Sequence, residues 1–409
     1  MSRGTALLAG GCVLAVLLLA WGLAEQDPVT ESGASPSGSA RAATSGAATG
    51  AQAAVAAGVP GTGPGAPYSA EGAQSRQAQL TLWQGRYERA EQIYSSYRDA
   101  TRYPHESRPI SEHPDQVRPF APVQEETPMR KANGEPAKGV RLRTSQERVF
   151  VTGAETVRFT VQAVDAGGKV LPLVVTRASA QSVAETTVLS PIIQSAVNFR
   201  DDGSGADTQS GDGIYSAQLQ PAQQGFAAFA GTIRMLAQVS AGGEQGVAHF
   251  DVVYTPAVPA TWAGTRDALE AGSLNFYLKA NVLQAGRYVV SARVDDANGT
   301  PFALLQFNDE VAAGQREFKL TLFGALVRDK NPAFPLRLRD VEGFLLLADK
   351  FPDRAMMARQ VGDVHRSARY AVDSFSPNEW SSEERERYLA EYGKDAQTAL
   401  EQVNRLQGR

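Results

Sequence analysis

Apolar and polar residues alternate strictly in TVRFTVQAVD. Val157, Phe159, Val161 and Ala163 fall on one side, and Arg158, Thr160 and Gln162 on the other. A period of two marks a half-buried strand, because successive side chains of an extended chain point to opposite faces. Similar short apolar runs, separated by turn residues, continue through GVRLRTSQERVFV, KVLPLVVTRASA, AVNFRD, GIYSAQLQ, GTIRMLAQVS and GVAHFDVVYT. Seven or so such strands predict an immunoglobulin-like β-sandwich over residues 139–257. In the last of them Ala248, Phe250, Val252 and Tyr254 take the core side, which leaves His249 and Asp251 toward solvent. After TPAVPATWAG the alternation resumes at Leu274, Phe276, Leu278, Ala280 and Val282, then at Tyr288, Val290, Ala292 and Val294. REFKLTLFG and FPLRLRDVEGFLLL complete about five strands, a second antiparallel sandwich over 258–350. DDANGTPF reads as a hairpin turn, with Asn298-Gly299 suited to positive φ.

The period lengthens at both flanks. Leu80, Trp83, Tyr87, Ala90, Tyr94 and Tyr97 recur every three or four residues, which predicts a helix with one apolar stripe. Leu389, Tyr392, Ala396, Ala399, Val403 and Leu406 repeat the pattern in a C-terminal helical region, 351–409. Ser381 and Glu384 form a capping box ahead of it. Both stripes are short for coiled coils, so packing within the chain is favoured over self-association. The first helix shares residues 76–138 with a strap in which Pro104, Pro109, Pro114, Pro119, Pro122, Pro128 and Pro136 predict extended chain without regular structure. His105, Glu106, Glu112 and His113 stand in mirrored order there. A zinc site from these four is disfavoured, because prolines keep the halves off a common helix.

The amino terminus reads differently again. Arg3 precedes the uncharged run TALLAGGCVLAVLLLAWGLA, followed by Glu25 and Asp27. About 19 apolar residues make a helix of roughly 28 Å, near the thickness of a bilayer's hydrocarbon. A retained transmembrane anchor over 1–25, touching the membrane through residues 6–24, is favoured over a cleaved signal. Arg3 inside would place the bulk of the chain across a bacterial inner membrane, in the periplasm. Residues 26–75 are Ala, Gly, Ser and Pro with few large apolar side chains, the composition of a disordered tether. The fold class is therefore mainly β: two tandem antiparallel sandwiches with an N-terminal transmembrane helix, a disordered tether and flanking helices.

Composition removes several chemistries. A net charge of -4 over 409 residues argues against nucleic acid as a partner. Cys12 is the single cysteine, so no intramolecular disulfide or thiolate metal site can form, and the four histidines lie in no HExxH pair.

DDGSGADTQSGDGIYS, residues 201–216, remains. Asp201, Asp202, Asp207 and Asp212 stand among glycines with no lysine or arginine between them. Hard carboxylate oxygens on a pliable loop suit Ca²⁺. Asp-Gly turns that cap backbone amides explain the same residues, and no glutamate stands where an EF-hand needs one. Under the calcium reading Asp202, Asp207 and Asp212 converge, with Asp201 as a possible fourth, and Tyr215 is buried under either. FRDDGSGADTQSGDGIYSAQL resembles the loop-and-strand signature of bacterial choice-of-anchor X domains: Asp-Asp-Gly, then Asp207, then Asp212-Gly213-x-Tyr215. It departs at Ala206, where a second glycine is common. The resemblance spans about residues 140–255 and implies an anchored, extracytoplasmic sandwich with no catalytic residues to carry over.

Together these features point to a membrane-anchored envelope protein for binding, adhesion or assembly, with a protein or glycan partner. Calcium is the one candidate cofactor and no catalytic residue is assigned. The alternative is an envelope hydrolase acting on glycans from a sandwich face. Paired carboxylates such as Asp295-Asp296 fall in a turn, where solvation is the default expectation.

Overall fold

The computed structural model describes residues 70–183 and 192–408. Helix α1 (Ala70–Ala100) opens it, and the strap then carries β1 (Ser107–Pro109) and β2 (Val123–Arg130). There follow β3 (Pro136–Gln146), β4 (Phe150–Thr152), β5 (Val157–Val164), β6 (Val170–Leu171), β7 (Leu173–Ser182) and β8 (Gln194–Ala196). Next come β9 (Tyr215–Leu219), β10 (Gly231–Ala241) and β11 (Glu244–Thr255). The second half comprises β12 (Ala260–Glu270), β13 (Ser273–Val282), β14 (Gly286–Asp295), β15 (Pro301–Val311) and β16 (Gly314–Leu322). It ends with α2 (Gly324–Lys330), β17 (Arg337–Leu346), β18 (Arg354–Met356), β19 (Gln360–Arg366) and α3 (Glu383–Gln407).

The fold is mainly β, with several antiparallel sheets arranged as β-sandwich layers. One sheet runs β6-β5-β3-β2-β11-β10-β7-β8, with β9 added to β5 and β4 to β11. Its two halves close over a shared core, where Phe159 of β5 meets Phe250 of β11 at 5.0 Å between ring centres. The alternation predicted for β5 holds residue by residue: Val157, Phe159, Val161 and Ala163 are buried. A separate core lies between the sheets β12-β13-β16 and β1-β15-β14-β17-β18, the latter with β19 on β17. There Phe318 receives Tyr288 at 5.5 Å and Phe307 at 5.3 Å from the facing sheet.

Several expectations need correction. Helix α1 begins at Ala70, inside the stretch assigned to the tether, because Ala, Glu and Gln there are good helix formers. The strap is not free of regular structure: β1 joins the second core's sheet, and β2 pairs with β3. Pro128 is tolerated because it sits at a register shift, where the ladder is already broken. The residues after 350 are not all helical, since β18 and β19 extend the sheet through β17. The cap of α3 is Ser382, whose hydroxyl accepts from the Arg385 amide, while Ser381 turns to Glu386. The single-pass inner-membrane placement gets no support from the structure: no helix among the described residues is long and apolar enough to cross a membrane. The apolar run 6–24 assigned to an anchor lies outside the described residues.

The two helical stripes meet one another. Tyr97 of α1 packs edge-on against Tyr388 and Tyr392 of α3, at 5.7 and 5.3 Å. At the root of this hairpin, Arg102 pairs with Asp329 and Glu379, and the buried Arg385 pairs with Glu379.

Candidate functional site

The loop between β8 and β9 folds around its aspartates. Gly203, Gly205, Gly211 and Gly213 all take positive φ, which lets the backbone reverse repeatedly in a dozen residues. Asp201 Oδ1 accepts from the amides of Gly211 and Asp212, and its Oδ2 accepts from Gly213. Asp207 reaches back to the Gly203 amide at 2.6 Å, and Asp212 accepts from Ile214 at 2.8 Å. One ligand atom from each of Asp201, Asp207 and Asp212 lies within 4.8 Å of the others. Asp207 is 5% exposed, and the other two are half-buried. No arginine or lysine nitrogen pairs with these three among the described residues.

The trio therefore differs from the predicted set. Asp201 belongs to it and Asp202 does not. Asp202 turns outward to the Ser204 hydroxyl and amide, with Arg200 at 3.6 Å. The Ser204 bonds hold its carboxyl below the usual range. The adjacent carboxylates serve different turns: Asp201 caps amides ten to twelve residues on, and Asp202 caps Ser204 within its own turn. Tyr215, expected to be buried, opens β9 opposite Val161 and is only half-buried, packed against the rim of the first core.

Whether a cation fits is a question of donors. Three carboxylates whose oxygens approach this closely repel one another, and the five backbone amides they hold offset that only in part. Hard oxygen donors of this kind match Ca²⁺, which takes six to eight oxygens. The residues fit such an ion, with backbone carbonyls and water needed to complete the shell.

Other candidate residues are dispersed or committed. In the strap Glu112 is held by Arg108 at 2.6 Å and His105 pairs with Glu106, so the four do not converge. His249 is exposed, while Asp251 receives both guanidinium arms of Arg234. Asp296 caps its turn through the Asn298 and Thr300 amides. Asp295 is not solvated: it is 1% exposed, with Arg293 Nε at 2.9 Å and Arg339 at 3.3 Å. The Arg293 Nε approach is close without being aligned as a hydrogen bond. Arg293 also pairs with Asp340 and donates to the Val117 carbonyl, which fastens the strap to the second sandwich.

One cluster escaped the sequence reading. Asp267 of β12 accepts from His365 Nε2 at 2.7 Å, the Tyr370 hydroxyl at 2.8 Å and the Ala368 amide at 3.2 Å. It ties the two sheets of the second sandwich together at their edge. Burial and then the Asp267 contact push the Tyr370 hydroxyl up to about 12. No local signal marks this cluster, since Asp267 and His365 are 98 residues apart.

A shallow groove of about 340 Å³ lies on the outer face of β2, β3 and β5, and Ile214 at the end of the aspartate loop forms part of its wall.

No family model matches the chain, and no curated protein matches it. Among solved structures it is similar to a DUF4785 family protein from Legionella pneumophila, at 12% identity and a TM-score of 0.37. That match covers 56% of this chain and 57% of the other, and a likeness of this depth carries no argument.

Proposed function

We propose that the chain is a non-catalytic binding protein. Its first sandwich is an immunoglobulin-like domain of the choice-of-anchor X kind, and calcium organises the loop before β9. The observation that carries this reading is the convergence of Asp201, Asp207 and Asp212 within 4.8 Å around a buried Asp207. The second sandwich, also immunoglobulin-like, and the helical hairpin extend the surface available to a protein or glycan partner. Asp201, Asp207 and Asp212 would hold the ion, whose charge would relieve their mutual repulsion and fix the loop against β9.

Calcium that binds the folded chain alone stabilises it by about 2.7 kcal/mol at a hundredfold excess over its Kd. The full chain is expected to melt higher in Ca²⁺ than in EDTA. Asp207→Asn removes the difference, whereas Asp202→Asn preserves it, because Asp202 faces away. Equal melting in Ca²⁺ and EDTA for the unaltered chain overturns the calcium assignment and leaves the loop as turn chemistry.

A further inference from the structure

We propose that the groove on the outer face of β2, β3 and β5 is a binding site for a neutral saccharide. It rests on the reading of the chain as a binding protein and assigns that protein a ligand class. The strand registers set its floor. Gln124 of β2, Ser145 of β3 and Thr160 of β5 stand opposite one another in one row, and Glu126, Arg143 and Gln162 in the next. Strand neighbours are spaced about 4.8 Å apart, so each row offers evenly separated polar groups on a rigid backbone. The side chains of Gln124, Ser145, Thr160 and Gln162 have no hydrogen-bond partner among the described residues. Ser145, Thr160 and Gln162 are nevertheless half-buried where they line the groove. Amides and hydroxyls both donate and accept, which is what a sugar's hydroxyls require of a partner.

The remaining wall narrows the ligand class. Glu126 accepts from both Arg143 Nε and Arg141 Nε, each at 2.7 Å, so the arginine that lines the groove among the described residues is already paired. Glu125 adds a further negative charge at the rim. Phosphate, sulfate and nucleic acid are therefore poorly matched. Among the described residues Ile214 is the one apolar side chain on the wall, too little to hold a lipid tail. The sheet's backbone groups are spent on its own ladder, so a peptide cannot add as a strand to this face. The volume lies at the lower end of small-ligand pockets, the size of one or two sugar rings. The Ile214 amide is held by Asp212, which joins this wall to the aspartate loop.

The test is calorimetric titration of the full chain, in Ca²⁺, with maltohexaose, cellohexaose and chitohexaose in turn. At least one is expected to bind in the micromolar to millimolar range. Thr160→Val and Gln162→Ala are each expected to weaken it tenfold or more without changing the melting temperature. Absence of binding by all three overturns the proposal, as does binding that both variants leave intact. Heparin or an unstructured peptide captured in their place also overturns it. Saccharide binding that persists in EDTA leaves the groove standing, and the melting comparison alone decides the calcium assignment. Cleavage of the bound oligosaccharide, followed by chromatography, sinks the non-catalytic reading and leaves the groove standing.

Discussion

Asp267 shows how one carboxylate can carry a pH dependence. Burial raises its pKa. Hydrogen bonds from His365, Tyr370 and the Ala368 amide, with the His365 charge, outweigh burial and hold the carboxyl below its ordinary value. The folded-state pKa is thus lower than the unfolded one, near 3.9. The stabilisation is complete above that unfolded value and is lost as pH falls through the folded one. Asp267→Asn is expected to cost about 2 kcal/mol at neutral pH, the scale of hydrogen bonds to a charged group. It should also flatten the acid limb of the stability curve. Urea unfolding at pH 7 and pH 3 measures both, and a variant with the same acid limb as the unaltered chain refutes the assignment.

At the scale of elements, α1 is the least self-sufficient part of the chain. It is 31 residues long, yet none of its described side chains is fully buried. Its apolar stripe, Leu80, Trp83, Tyr87, Ala90, Tyr94 and Tyr97, is only half-buried; Tyr97 packs on Tyr388 and Tyr392 of α3, which buries Ala396, Ala399 and Val403. A helix with so narrow an apolar seam is marginal without its partner. Truncation after Ser382 is therefore expected to melt α1 as well. Far-ultraviolet circular dichroism should lose the helical signal of both helices, while the β signal persists. Loss of the α3 share alone would show that α1 stands unaided.

At the scale of the whole molecule, the strap joins two cores. It gives β1 to one sheet and β2 to another, and Arg293 holds it midway at the Val117 carbonyl. The cores also touch through Arg354 of β18, which lies over Phe150 of β4 at 5.0 Å and over Phe344 of β17 at 4.9 Å. Arg359 covers Phe120 of the strap at 4.7 Å. These shared contacts couple the unfolding of the two halves. Calorimetry is expected to show one transition for the intact chain. Cutting an engineered protease site between Ala121 and Val123, with Arg354→Ala, should split it into two. A single transition in the cut variant would place the coupling elsewhere.

The sequence by itself determined the strands whose burial is one-sided and whose register is local. The alternation through Val157–Ala163 and Leu274–Val282 names the core residues outright, because a period of two leaves only one face to bury. It likewise determined the two helical stripes and the aspartate loop as a feature. Tertiary structure alone decided the rest. β12 was hidden because a register shift between Trp262 and Gly264 breaks its alternation. β2 was hidden because every residue but Met129 is exposed and its pairing partner lies beyond a turn. The return of the loop to Asp201 at Gly211–Gly213, and not proximity in sequence, put Asp201 and not Asp202 in the carboxylate trio. Asp295 is buried with Arg339 added to its neighbour Arg293 from 44 residues later, and the half-buried Asp267 meets His365 from 98 residues later. Charges brought together over such separations leave no period in the chain. Their pairing is set by which strands become neighbours, and that depends on how the whole core closes.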